Sequence, residues 1–546
     1  MSSGCGGRLI LSATMNRLAV MIPSRAHWPI FCAWLVLSLC FIALASRSVS
    51  QTGLDYDEAV YGHLAKDFLR GQSCPQHMPG SESVEIAGRP FPLFVQGYLG
   101  ALKCWMLIPS FALCGESIAV MRWTMIGAGL IGLLCLMLWV RRVSCFVTAV
   151  LSGVLVAFDP AFFFPTVCEW GAFVPSFICR CAGLLFLTLW WQKRQVVWMI
   201  LAGVALGLGF FNKIDFVVVL AAIGIAAIVS WPRELLERGR QSWKQCSLGV
   251  LAFVLSSAPM IWNSLRWLKS IIAMQDGERS GEAETKFNIV KAALDGSYFY
   301  RLMETDGLFH RMFEVPPTLK NFFLITFGIA LLVLVVFAIR KRQERWSRFL
   351  LVGFLISVIG FFLMPEALRI HHFLLIYPFP QLIVAGAAVG LWRQTKSIGK
   401  AVAVIMVGGV MLTHISNVWR TQEFIATTGG RGQWSRALVE FAESMRNRDD
   451  VMLVSLDWGF HEQLSFLTDK PKRFEPTWNL QAGQPVNLLP DPRCYYLIHP
   501  PEFSLFPYGA HYLQQAQQSG LPLEIVSFTN REAAVVFQYF RFKGAQ

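Results

Sequence analysis

Charge is what this sequence is short of. Of its 546 residues only 15% are Asp, Glu, Lys or Arg, while 54% are hydrophobic. A soluble domain carries about 25% charged residues, so a water-soluble enzyme of this length is excluded. A CxxC pair is also absent, which removes the usual zinc-binding spacings. There is no internal repeat and no low-complexity linker. The 13 cysteines mostly sit inside apolar runs, as Cys32, Cys40, Cys135, Cys179 and Cys181 do. They read as packing residues rather than as the framework of a small disulfide-rich fold.

Long apolar runs are what the chain has instead. About 20 apolar residues cross a bilayer, and eleven segments qualify: 28–46, 118–140, 143–163, 172–191, 195–211, 214–231, 246–264, 319–339, 348–364, 372–391 and 398–419. A twelfth stretch, 92–114, is broken by Lys103 and Pro109. Loop charges decide whether it spans. If it does not, five short loops fall on the same side as the N-terminus: Arg141-Arg142, Lys193-Arg194, 232–245, 340–348 and 392–400. Together they hold 16 basic and 3 acidic residues, and Arg8, Arg17 and Arg25 join them. Spanning by 92–114 would flip every one of these loops against the positive-inside rule. The stretch is therefore read as an interfacial or re-entrant helix outside, and the C-terminus is placed outside. The net charge of +13 is an orientation signal rather than a nucleic-acid footprint, and no nucleic-acid partner is expected. Ala43-Leu44-Ala45 after a basic start resembles a signal-peptide cleavage site, but with later spans present a retained first helix is the better reading.

The expected organisation is a polytopic α-helical membrane protein with a small extramembrane α/β domain. Residues 1–27 form a cytoplasmic tail. Residues 28–420 form a transmembrane domain with outer loops 47–117 and 265–318. Residues 421–546 form the C-terminal α/β domain, with helices near 434–447 and 510–518. Its strands are expected near 451–456, 493–499, 523–528 and 533–540.

Three acids, Asp55, Asp57 and Glu58, stand within four residues just after the first span. They open a segment of helical periodicity over 57–70, expected to be an amphipathic helix at the outer surface. Helix capping accounts for one or two of these acids, and a third exceeds that need. Asp159, in Phe158-Asp159-Pro160-Ala161 at the outer end of the third span, is an ionisable residue in an apolar setting. A helix N-cap before Pro160 is the alternative. Arg180, within the fourth span, needs a partner, and Glu169 lies on the same outer side.

This pattern resembles a known family. Asp57-Glu58-Ala59, a helix ending at Leu69-Arg70-Gly71, then Gly88-Arg89-Pro90, Leu113-Cys114-Gly115-Glu116-Ser117 with Arg122, and Asp159-Pro160 are together similar to the GT-C class of polyprenyl-phosphate-dependent glycosyltransferases. Within that class the closest likeness is to glycosyltransferase family 39, which includes protein O-mannosyltransferases and the lipid A aminoarabinose transferase. The resemblance implies a GT-C-like fold of about eleven spans plus interfacial helices. It also implies transfer, with inversion, from a polyprenyl-phosphate sugar to a glycan, lipid or protein acceptor on the outer face, in contact with membrane lipids. Asp57 would take the base or acceptor-orienting role, with Glu58 in support and Asp159 joining the cleft. Two acids at one site suit a hard cation such as Mg or Mn, held by Asp57 and Asp159. Arg89, in Arg-Pro-Phe where many relatives have Lys-Pro-Pro, would contact the donor phosphate, as would Arg369 and Lys213. No Walker or Rossmann glycine pattern follows a strand in the outer domain, in keeping with a lipid-linked donor. A multi-span transporter or flippase, and an O-antigen-type polymerase or ligase, are the competing readings. The default location is a bacterial inner membrane.

Overall fold

The computed structural model describes residues 28–72, 80–168, 171–273, 282–297, 299–300, 322–340, 344–364, 370–448, 450–457, 459–468, 474–475, 488–501, 503–504 and 508–543. Each of the eleven apolar segments is helical. They are α1 (Trp28–Ala45), α4 (Ile118–Val143), α5 (Phe146–Ala157) with α6 (Pro160–Val167), α7 (Phe173–Lys193), α8 (Val196–Asn212), α9 (Phe216–Ser230) with α10 (Pro232–Gln241), α11 (Trp243–Ala273), α13 (Phe323–Ile339), α14 (Glu344–Leu363), α15 (Ile370–Phe373) with α16 (Phe379–Gln394), and α17 (Ser397–Thr428); α12 (Glu282–Leu294) lies between α11 and α13. Among the described residues, six helices meet span length and apolarity alone, and eight do if the bent pairs α5–α6 and α9–α10 are each one span. Val36, Leu39, Ile131, Val217, Leu255, Leu332 and Leu412 remain exposed, as side chains facing lipid do.

Pro160 sits at the first position of α6 with Asp159 as its N-cap, and the axis turns by 60° there. Pro fixes φ and lacks an N–H, so it starts a helix readily but cannot continue one.

The first loop departs from expectation. Helix α2 (Tyr56–Arg70) forms where the periodicity places it, yet it is enclosed rather than lying on a wet surface: Tyr56, Glu58 and every residue from Ala59 to Asp67 are buried. The stretch 92–114 is not one helix. Its first part completes β2 (Arg89–Gln96), which pairs antiparallel with β1 (Glu82–Ile86) and with β3 (Leu99–Gly100). Its second part is α3 (Leu102–Cys114), whose 13 residues rise roughly 20 Å and are too short to cross. The hairpin turns at Ala87 and Gly88, both at positive φ (52° and 73°), the backbone that a two-residue turn between twisted strands requires.

In the C-terminal lobe, α18 (Ala437–Met445), β4 (Met452–Ser455), α19 (His461–Leu467), β5 (Phe474–Glu475), β6 (Cys494–Ile498), α20 (Tyr508–Gln518), β7 (Leu523–Thr529) and β8 (Val535–Phe542) build one mixed sheet in the order β5-β4-β6-β8-β7. Alternation along the strands divides its core. Leu453, Tyr495, Leu497 and Phe537 pack toward α18 and α19, while Val454, Tyr496, Ile498 and Phe540 pack toward α20. The β7–β8 turn clasps the end of α17, through Arg531 to the Ala426 carbonyl (2.7 Å) and a two-point pair of Arg431 with Glu532. The hydrogen bonds from Arg431 hold the Glu532 carboxyl below the ordinary glutamate range.

Helices α8 and α11 approach closely through small residues. A Cβ on Gly203 would stand 2.1 Å from the Gly249 carbonyl oxygen, whereas one on Gly224 in α9 would meet nothing within 4 Å. Small residues at such crossings let membrane helices pack by van der Waals contact. Gly203→Ala is expected to destabilise the protein by about 1–3 kcal/mol through overpacking, and Gly224→Ala to be neutral or mildly stabilising. Thermal unfolding of the two variants in detergent checks this, and equal stability would refute the tight crossing.

Candidate active site

The three acids before and within the first turn of α2 have separate jobs. Asp55 is the N-cap, in extended backbone, and accepts a hydrogen bond from the Asp57 N–H (3.1 Å). Glu58 closes the capping box by accepting from the Asp55 N–H (3.1 Å). Its carboxylate also meets Arg122 from α4 side-on, with Nε to Oε1 and Nη2 to Oε2 both at 2.7 Å. The remaining N–H groups of Arg122 go to the carbonyls of Val49 (2.7 Å), Thr52 (3.4 Å) and Gly53 (2.6 Å). All five guanidinium donors are therefore used, and both side chains of the pair have zero exposure. Glu58 thus reaches no solvent and acts by position.

Asp57 is left over. It is half-buried, and its carboxylate has no hydrogen-bond or ion-pair partner among the described residues. It faces the turn at Gly171: a Cβ placed on Gly171 would lie 3.6 Å from Asp57 Oδ2. Gly171 has φ +63°, so a side chain there would be strained as well as crowding the carboxylate.

A cation reaches the same turn from α3. Lys103 has zero exposure, its Nζ donates to the Gly171 carbonyl (3.2 Å), and it stands 4.0 Å from the ring centroid of Tyr61 on α2. Helix α3 is held in place by the Trp105 indole N–H on the Pro92 carbonyl (2.7 Å) and by the Cys104 thiol on the Tyr61 carbonyl (3.4 Å). In the sequence Lys103 is visible only as the charge that interrupts an apolar stretch. That interruption was the signal for a functional role.

The other candidates are distributed differently. Asp159 is buried and turned inward as the N-cap of α6; Oδ1 accepts from the Ala161 N–H (2.8 Å) and Oδ2 from Gln381 on α16. Helix α6, with eight residues and roughly 12 Å of rise, separates it from the Gly171 turn. Each Asp159 oxygen is thus engaged at the bend, and its part in a cleft with Asp57 stays a proposal. A divalent cation shared by Asp57 and Asp159 does not fit this arrangement, and among the described residues no three His, Cys, Asp or Glu side chains converge on a metal position. Lys213, at the end of α8, is buried against Asp215 (2.8 Å), so its charge is already matched. Arg89 is exposed at the start of β2 and donates one N–H to the Leu69 carbonyl at the end of α2 (2.7 Å). It closes the helix and keeps other donors for a ligand. Arg369 and Glu169 lie outside the described residues.

Helix α19 of the lobe covers α2. Gln463 donates to the Leu54 carbonyl (2.8 Å), and the Tyr56 hydroxyl meets Glu462 Oε1 (3.4 Å). Lys66 donates to the carbonyls of Phe466 and Thr468 (2.6 Å each).

This architecture has known counterparts. A family model described as dolichyl-phosphate-mannose-protein mannosyltransferase matches residues 101–262. Among solved structures, ArnT from Cupriavidus metallidurans bound to undecaprenyl phosphate superposes with a TM-score of 0.53 at 14% identity, covering 93% of this chain and 97% of that one. Its apo state gives 0.54 at the same identity and coverage. The Archaeoglobus fulgidus oligosaccharyltransferase in its apo form gives 0.52 at 12% identity, covering 87% of this chain and 70% of that one. The fold is that of the GT-C glycosyltransferases. A search of curated protein sequences found no significant match. The GT-C likeness read from the sequence is supported by both comparisons.

Removing one partner of a buried ion pair leaves the other charged and unsolvated, at a cost of about 3–5 kcal/mol. Glu58→Gln should lower stability by that order, and adding Arg122→Met should recover part of the loss. A double-mutant cycle on thermal unfolding checks this. Additive losses would mean that the two side chains are not coupled.

Proposed function

We propose that the protein is a membrane glycosyltransferase that moves a sugar from a polyprenyl-phosphate donor to an acceptor hydroxyl or amine at the outer face of the membrane. The supporting observation is the meeting at the Gly171 turn of a half-buried carboxylate, Asp57, unpartnered among the described residues, and a buried ammonium, Lys103. In this reaction the acceptor nucleophile attacks the anomeric carbon of the sugar. The bond from that carbon to the phosphate oxygen breaks, and its electron pair leaves with the lipid phosphate. Asp57 takes the proton of the attacking group, and the configuration inverts. The leaving phosphate needs positive charge rather than a proton, because its oxygen is a weak base. Arg89 and Arg369 are the candidates to face it, and Lys103, with zero exposure, adds positive charge from within Asp57's turn. The carboxylate also opposes positive charge that develops on the sugar ring. Glu58 and Arg122 act one step removed, by fixing where α2 begins.

The ArnT structure of the same fold holds undecaprenyl phosphate, which supports a lipid phosphate as the donor class. The acceptor class stays open among protein, lipid and glycan. The reaction also requires the lobe and the first loop to stand on the side opposite the basic loops.

Asp57→Asn is expected to lower transfer from labelled undecaprenyl-phosphate sugar in membranes by about 10²–10⁴-fold, the range for loss of a general base, with insertion and thermal stability unchanged. Activity close to wild type would refute the assignment. Lys103→Met should also cut turnover, and Lys103→Arg should restore part of it. For orientation, alkaline phosphatase fused after Gly430 should be active and fused after Gln241 inactive; the opposite pattern would overturn the placement of the lobe.

A further inference from the structure

A second cavity, of about 290 Å³, lies between the C-terminal half of α2, the start of α4 and the lobe helix α18. It is remote from the Gly171 turn. Asp57 and Arg70 lie 13 residues apart on one helix, roughly 20 Å at 1.5 Å per residue. Its lining includes four cations, Lys66, Arg70, Arg436 and Arg446, against two acids, Glu116 and Glu443.

Internal pairing leaves this cavity positive. Arg70 is matched by Glu116, with Nε and Nη2 on the same carboxylate oxygen at 2.8 and 2.6 Å. Lys66 is spent on the two lobe carbonyls. Arg436 donates one N–H to the Ser50 carbonyl (2.6 Å) and has no carboxylate partner among the described residues. Arg446 is exposed, and its guanidinium has no partner there at all. The amino end of α4, capped by Ser117, opens into the same space, and a helix start adds partial positive charge. Val49, Ser50 and Thr52, a few residues past the end of α1, also line it, which puts the cavity close along the chain to the end of an apolar span.

Two guanidinium groups without carboxylates, one at each end of α18 and both lining one half-polar cavity, suit it to an anion such as a phosphate. We propose that the cavity is a phosphate-recognition subsite, separate from the Asp57 centre, that takes a phosphate monoester or diphosphate carried on a headgroup or free in solution. Arg446 and Arg436 flank it from the two ends of α18, and Glu443 tempers its affinity. The site stands on its own geometry and does not depend on the transfer reaction.

The test uses the full-length protein in phosphatidylcholine nanodiscs. One arm measures binding of labelled inorganic pyrophosphate, and the other measures retention of phosphatidic acid doped into the discs. Arg446→Gln should weaken binding about tenfold, in line with loss of a charge-assisted hydrogen bond, and adding Arg436→Gln should weaken it further. Glu443→Gln should strengthen it, which a merely structural role would not do. Asp57→Asn should leave it unchanged, since a probe at the Asp57 centre would respond to that change instead. Pyrophosphate binding alone identifies a soluble phosphate, and phosphatidic acid retention alone identifies a lipid headgroup. Binding in neither arm, or equal binding by wild type and Arg446→Gln, would overturn the proposal.

Discussion

The ion pair between Glu58 and Arg122 is the constraint on which the outer half of the molecule rests. Two charges in a site with zero exposure carry a desolvation penalty of several kcal/mol each, and their attraction offsets it only when every donor is used. In this pair every donor is used. Three of the acceptors are carbonyls of the connection between α1 and α2, so the arginine fixes the backbone as well as the carboxylate. Helix α2 can start at one place and in one orientation, and Asp57, one residue before Glu58, has its position set as a consequence. A carboxylate held in this way loses little freedom when a substrate arrives, the kind of preorganisation that general-base chemistry needs.

Much of this was legible in the chain, and the parts that were not have physical reasons. The eleven apolar segments are long enough for hydrophobicity alone to mark them. The lobe strands near 451–456, 493–499, 523–528 and 533–540 are short, largely apolar runs, and all four are present. The stretch 92–114 misled because apolar content does not distinguish a covered strand from a helix. The stretch begins inside β2, where Pro92 lies opposite Ser83 of β1. Helix α19 escaped notice because seven residues with His461, Glu462 and Gln463 at its head carry no periodic signal. It is ordered by the α2 groups it meets.

The acids show how far local chemistry reaches. That one of three could not be needed for capping was readable from the sequence. Which one was spare depended on an arginine 64 residues away. Asp159 posed the same choice, and there capping won. An Asp-Pro pair at a bend reads identically whether the carboxylate serves a ligand or the helix, and only the Gln381 contact from α16 tells the two apart. Lys103 illustrates the converse. A charge that looked like a flaw in an apolar stretch lies against an aromatic ring and a carbonyl, at the turn the spare carboxylate faces.

The packing of α19 against α2 bears on the order of events during biosynthesis. The helix that carries Asp57 is made about 400 residues before the groups that cover it, which belong to positions 462–468. Gly53 also donates to the Trp434 carbonyl, with no room for a side chain beside Ser435. The helix bearing the spare carboxylate must therefore wait, partly uncovered, while every intervening span is inserted. A chain truncated before the lobe would leave α2 without that cover.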